Sequence, residues 1–115
     1  MVTASCSCRT AGCVAKCTLP LPSNLSPATA SLTVLYRGDF GSRTEYADAF
    51  INGASVRAFR CGPGGECESS FRTCVDGLDV LEAVRGAAGG ALEVALHATS
   101  AVNFCSYANY EATAC

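Results

Sequence analysis

Residues 31–59, SLTVLYRGDFGSRTEYADAFINGASVRAF, constrain the fold more than any other stretch, because they read as three β-strands joined by two turns. In SLTVLY, Leu32, Val34 and Tyr36 fall on one face and Ser31, Thr33 and Leu35 on the other, the two-residue period of a half-buried strand. Residues 37–42, RGDFGS, interrupt that pattern. Residues 46–51 then run into Asn52-Gly53, the dipeptide that best tolerates the two positive φ angles of a type I′ turn, and residues 55–59 return as the partner strand. An antiparallel hairpin core follows. No catalytic signature accompanies it.

The rest of the chain reads around this hairpin. Residues 61–67, CGPGGEC, form a Gly/Pro turn bracketed by cysteines, which predicts a Cys61–Cys67 bridge. Residues 71–75 read as a strand carrying Cys74. In residues 77–85, Leu78, Leu81 and Val84 share a helical face that Gly86 ends. Residues 91–99 alternate with Leu92, Val94, Leu96 and Ala98 inward and Glu93, Ala95, His97 and Thr99 outward. Residues 106–114 form a weaker strand, with Tyr110 among alanines on one face. Six or seven strands and at most one short helix predict an all-β, disulfide-stabilised antiparallel β-sandwich of jelly-roll-like kind over residues 31–115.

Before it, residues 1–17 read as a Cys-rich tail and residues 18–30 as an extended arm holding three of the four prolines. Asn24-Leu25-Ser26 fits the glycosylation acceptor pattern, with Pro27 directly behind it, so Asn24 is a candidate glycoprotein site.

Nine cysteines in 115 residues place the chain in an oxidising compartment, outside the cell or at its surface. Residues 1–5 carry neither the basic start nor the apolar run of a secretory signal, as expected of a processed or partial chain. No stretch approaches the roughly 20 apolar residues of a membrane span. The apolar fraction of 50% is swollen by 19 alanines, so large core side chains are scarce and cross-links compensate. A formal net charge of −2, with scattered cations, argues against nucleic acid as a partner.

Cys6, Cys8, Cys13 and Cys17 have a spacing that zinc knuckles do not favour, and zinc would leave five cysteines unexplained. Disulfides among these four and Cys61, Cys67, Cys74, Cys105 and Cys115 account for eight of nine. The ninth is free, bonded to another chain, or paired with a residue outside this stretch, with Cys115 or a cysteine of the tail as candidates and a buried free thiol as the alternative. Asp39, Glu45 and Asp48 are candidate calcium ligands, the alternative being solvated acids of a turn and a strand face. Arg37-Gly38-Asp39 spells an adhesive tripeptide but sits where a turn needs Gly and Asp for backbone reasons. His97, the single histidine, stands on an outward strand face with no nucleophile motif beside it, so no enzyme is expected.

The run LTVLYRGDFGSRTEYADAFINGASV, with the Cys-bearing Phe-Arg strand and GGALEVALHATSAVNF, resembles β-sandwich modules of the jelly-roll or CUB-like kind over residues 30–105. Such modules recur in secreted and cell-surface proteins. The resemblance implies a module that binds, spaces or assembles, with carbohydrate or calcium as frequent ligands; the lack of tryptophan weakens an aromatic platform for sugar. The expectation is an extracellular structural subunit of a filament or matrix that associates with itself or another extracellular protein. The alternatives are a carbohydrate- or calcium-binding module, a small secreted effector or inhibitor, and an intracellular metal protein.

Overall fold

A computed structural model describes residues 1–21, 27–87, 90–103, 105 and 108–115, with 57 and 58 described by backbone alone. Among the described residues, eight strands and one helical turn follow in order: β1 (Val2–Cys8), β2 (Val14–Pro20), β3 (Ser31–Gly38), β4 (Ala47–Ile51), β5 (Ala54–Cys61), β6 (Arg72–Asp79), α1 (Leu81–Gly86), β7 (Ala91–Ala98) and β8 (Ala108–Ala114). Two four-stranded antiparallel sheets pack together, β1-β8-β3-β6 in one (sheet A) and β2-β7-β4-β5 in the other (sheet B). Strand pairs run first with last, second with seventh, third with sixth and fourth with fifth, a jelly-roll-like winding of one long hairpin around a shared core.

The alternation read in the sequence is the alternation of burial. In β3, Leu32, Val34 and Tyr36 are inside; in β7, Leu92, Val94 and Leu96 are fully buried. From β8, Tyr110 and the small Ala108, Ala112 and Ala114 fill the space between the sheets. Asn52 and Gly53 both adopt positive φ, +49° and +84°, so Ile51 pairs with Ala54 across a two-residue turn as expected. Asn52 also locks the hairpin to β7: its backbone N–H donates to the Glu93 carbonyl, and its side-chain oxygen accepts from the Glu93 N–H, both at 2.9 Å.

Three expectations are corrected. The tail and arm are not appendages: β1 lies at the edge of sheet A and β2 at the edge of sheet B, with Ala15, Cys17 and Leu19 buried. Their pattern is carried by alanine and cysteine, too small to stand out as a hydrophobic period. Pro20 closes an edge strand, where the missing N–H costs little. The helix is shorter than read, because β6 continues to Asp79 through a bulge at Asp76-Gly77, where Gly77 has φ +67°. Asp79 then accepts a bond from the Leu81 N–H at 3.0 Å and Val84 is buried.

The third correction is the cross-linking. Cys61 bonds Cys74, and Cys67 bonds Cys105; Cys6–Cys17 and Cys8–Cys13 complete the set. Cys61 ends β5 and Cys74 lies in β6, which are the facing edges of the two sheets on one side of the sandwich. Cys6–Cys17 joins β1 to β2, the facing edges on the other side. Each open flank is therefore stapled across the core. The loop after β5 is not a closed bracket but is carried toward residue 105. Four disulfides of this kind belong to an oxidising environment. Among the described residues no helix is long and apolar enough to cross a membrane.

Candidate functional site

The stapled loop brings acidic groups together at one end of the sandwich. Asp39 follows β3 and bridges to Glu66, and the Cys67 N–H donates to the Gly38 carbonyl at 2.8 Å. Phe40 beside it is fully buried, its ring set edge-on to Tyr36 with centroids 4.9 Å apart. A tight turn follows, in which the Ser42 N–H donates to a Glu45 carboxylate oxygen and the Glu45 N–H donates to the Ser42 carbonyl. Carboxylate oxygens of Asp39, Glu45 and Glu66 thereby lie within 4.8 Å of one another. Asp39 is fully buried and accepts from the Asn103 N–H at 2.9 Å; Glu45 is buried and Glu66 exposed.

Of the three acids singled out in the sequence, Asp39 and Glu45 meet, and Asp48 does not. Asp48 faces outward from β4 and accepts from Arg60 Nε at 2.8 Å. Glu66 takes its place, a residue that sequence reasoning missed because the Cys67–Cys105 link decides where its loop goes. Three carboxylates supply part of the oxygen set that a hard cation such as Ca²⁺ requires, about six to eight ligands.

The adhesive reading of Arg37-Gly38-Asp39 fails on burial. Arg37 donates to the Ser69 carbonyl at 2.6 Å and lies over the Phe71 ring at 4.5 Å, while Asp39 is inaccessible. His97 stands outward on β7 as read, its ring 4.2 Å from that of Phe50. Asn24 lies outside the described residues. The tail cysteines are all paired, which leaves Cys115 as the one free thiol, and it is exposed. Its backbone is fixed to Ser31 by bonds of 2.9 and 3.0 Å, and an apolar groove of about 310 Å³ beside it is lined by Val2, Ala30, Val84 and Ala114.

Fold and cross-links thus define a disulfide-stapled antiparallel β-sandwich. No protein-family model, no curated protein and no solved structure matches the chain.

Proposed function

We propose that this chain is an extracellular structural module that joins an assembly through Cys115 and acts without catalysis. The supporting observation is that eight cysteines are paired within the fold while the ninth, Cys115, is exposed directly after β8, its backbone bonded to Ser31. Two such thiols from neighbouring copies form one disulfide, giving up two protons and two electrons to the disulfide donors of an oxidising compartment. The edge strands β1 and β2 offer further backbone groups to a neighbour.

Intact mass of native material with and without reductant, combined with thiol counting, tests this. Covalent multimers that collapse on reduction, and that Cys115→Ser abolishes, support the reading. A native monomer with one reactive thiol refutes it.

A second reading, a module clamped by Ca²⁺, is favoured by the convergence of Asp39, Glu45 and Glu66. It expects the melting temperature to rise with Ca²⁺ and to fall back with chelator, and Glu66→Gln to reduce the response. An unchanged melting temperature removes it.

A further inference from the structure

We infer that the open edge of β1 pairs with β1 of a second copy of this chain, antiparallel across a two-fold axis at Ser5, so that sheet A of one copy runs into sheet A of the other. Among the described residues β1 pairs only with β8, and no other backbone bond reaches residues 2–8. In an antiparallel ladder alternate residues turn their N–H and C=O groups away from the partner, so every second residue of β1 presents these groups at the edge. The pairs from Val2↔Ala114 to Cys8↔Ala108 run without a shift in register. The edge is therefore straight and long enough to act as a template.

The other three edges are each protected. β2 carries the exposed Lys16 in its middle and ends on Pro20, which has no N–H. β5 carries Arg60, bonded to Asp48, and is bulged against β4. β6 carries Arg72, Asp76 and Asp79 and is bulged at Gly77. Charges, proline and bulges are what keep sheet edges from pairing with another chain. β1, VTASCSC, has none of them.

The strand is also complementary to itself. With the axis at Ser5, Val2 lies opposite Cys8 of the second copy, Thr3 opposite Ser7 and Ala4 opposite Cys6. Thr3, Ser5 and Ser7 are exposed on the outer face and meet hydroxyls of the same kind, while Ala4 and Cys6, half-buried on the inner face, meet small side chains. No charge within the strand faces its like. The pairing deepens the assembly reading above and rests on it for one consequence. Cys115 follows Ala114, the partner of Val2, so the two thiols of such a dimer stand roughly 30 Å apart, at about 3.3 Å per residue and about 4.8 Å per strand. They cannot bond each other. Each is left for a further copy, and the two contacts alternate along an open chain.

The test uses the oxidised Cys115→Ser chain, in which pairing of β1 is read apart from the thiol. Sedimentation velocity over a wide concentration range should show a reversible equilibrium of monomer and dimer. Amide hydrogen exchange followed by NMR should slow at alternate residues of β1 as the dimer fills, and not in β2 or β6. Ser5 is exposed beside Glu111 of β8, so the monomer accommodates Ser5→Lys. In the dimer the same change sets two ammonium groups against each other at the axis and should weaken association about tenfold. An equal mixture of Ser5→Lys and Ser5→Glu should recover it. A chain that stays monomeric, a dimer whose β1 amides exchange as in the monomer, or a dimer untouched by Ser5→Lys overturns the inference. A monomeric Cys115→Ser chain beside covalent multimers of the wild type overturns this inference alone. A reversible β1 dimer beside a wild type that forms no covalent multimers supports it and overturns only the thiol-linked reading.

Discussion

Tyr110→Phe should make the protein more stable. The ring of Tyr110 is buried in the middle of β8, edge-on to Phe40 at 6.4 Å, and among the described residues its hydroxyl has no hydrogen-bond partner. An unsatisfied buried hydroxyl costs about 1–3 kcal/mol. Deleting it keeps the ring and leaves a vacancy of one oxygen, worth about 0.3 kcal/mol against the variant. A net gain of about 1 kcal/mol at neutral pH is a conservative expectation. For a chain of this length that corresponds to roughly 4 °C in melting temperature.

The pH dependence sharpens the test. Burial pushes the Tyr110 hydroxyl far above its ordinary value of 10.0. The folded state thus holds this proton more tightly than the unfolded state does. The stability tied to it is complete below about pH 10 and is lost as pH rises toward the folded value. At pH 10.5 the wild type has forfeited about 0.8 kcal/mol at this group, and Tyr110→Phe has not. The advantage of the variant should therefore grow from about 1 to about 2 kcal/mol between pH 7 and 10.5. Urea unfolding of the oxidised protein at both pH values measures it. A variant less stable than wild type at pH 7, with a difference that does not grow on the alkaline side, would show that the hydroxyl is satisfied and refute the reasoning.

Other outcomes follow from the same geometry. Replacing Cys67 and Cys105 by alanine opens a 38-residue loop and should cost about 4 kcal/mol, against about 2 kcal/mol for Cys8 and Cys13 with their separation of 5; denaturant midpoints in the reverse order would contradict the loop argument. Gly62 has φ +86°, and a methyl there would stand 2.9 Å from both the Glu45 carbonyl and the Phe40 ring, so Gly62→Ala should cost at least about 2 kcal/mol by thermal melting. Hydrogen bonding to Arg72 holds the Glu68 carboxyl below its usual range. What the pair adds is present above the unfolded carboxylate range and fades as pH falls through the folded value; an NMR titration of Glu68 should show the low midpoint, and Arg72→Gln should return it to normal.

The strands with large side chains were legible because burial enforces their period: β3, the Asn52-Gly53 hairpin and β7 could be placed from residues 31–59 and 91–99 alone. β1 and β2 were not, since VTASCSC and VAKCTLP use Cys6, Cys8, Ala15 and Cys17 where a longer strand code would use leucine and valine. The pairing of Cys61 with Cys74 depends on which sheet edges face each other, a property of the winding that no local spacing encodes. The same holds for the acidic cluster: Asp39 and Glu45 are near neighbours in sequence, but Glu66 reaches them only because its loop is tied to Cys105.

The staples also fix how far this module can be pulled. Cys61–Cys74 and Cys67–Cys105 overlap along the chain, so everything between residues 61 and 105 is held in one interlocked unit that contributes almost no length under tension. The links at residues 6–17 remove most of the first two strands in the same way. What remains to pay out is chiefly the span from 17 to 61, about 150 Å of extended chain, where an uncrosslinked polypeptide of this size would give about 400 Å. A tether built from such units yields a short, fixed extension and then stiffens.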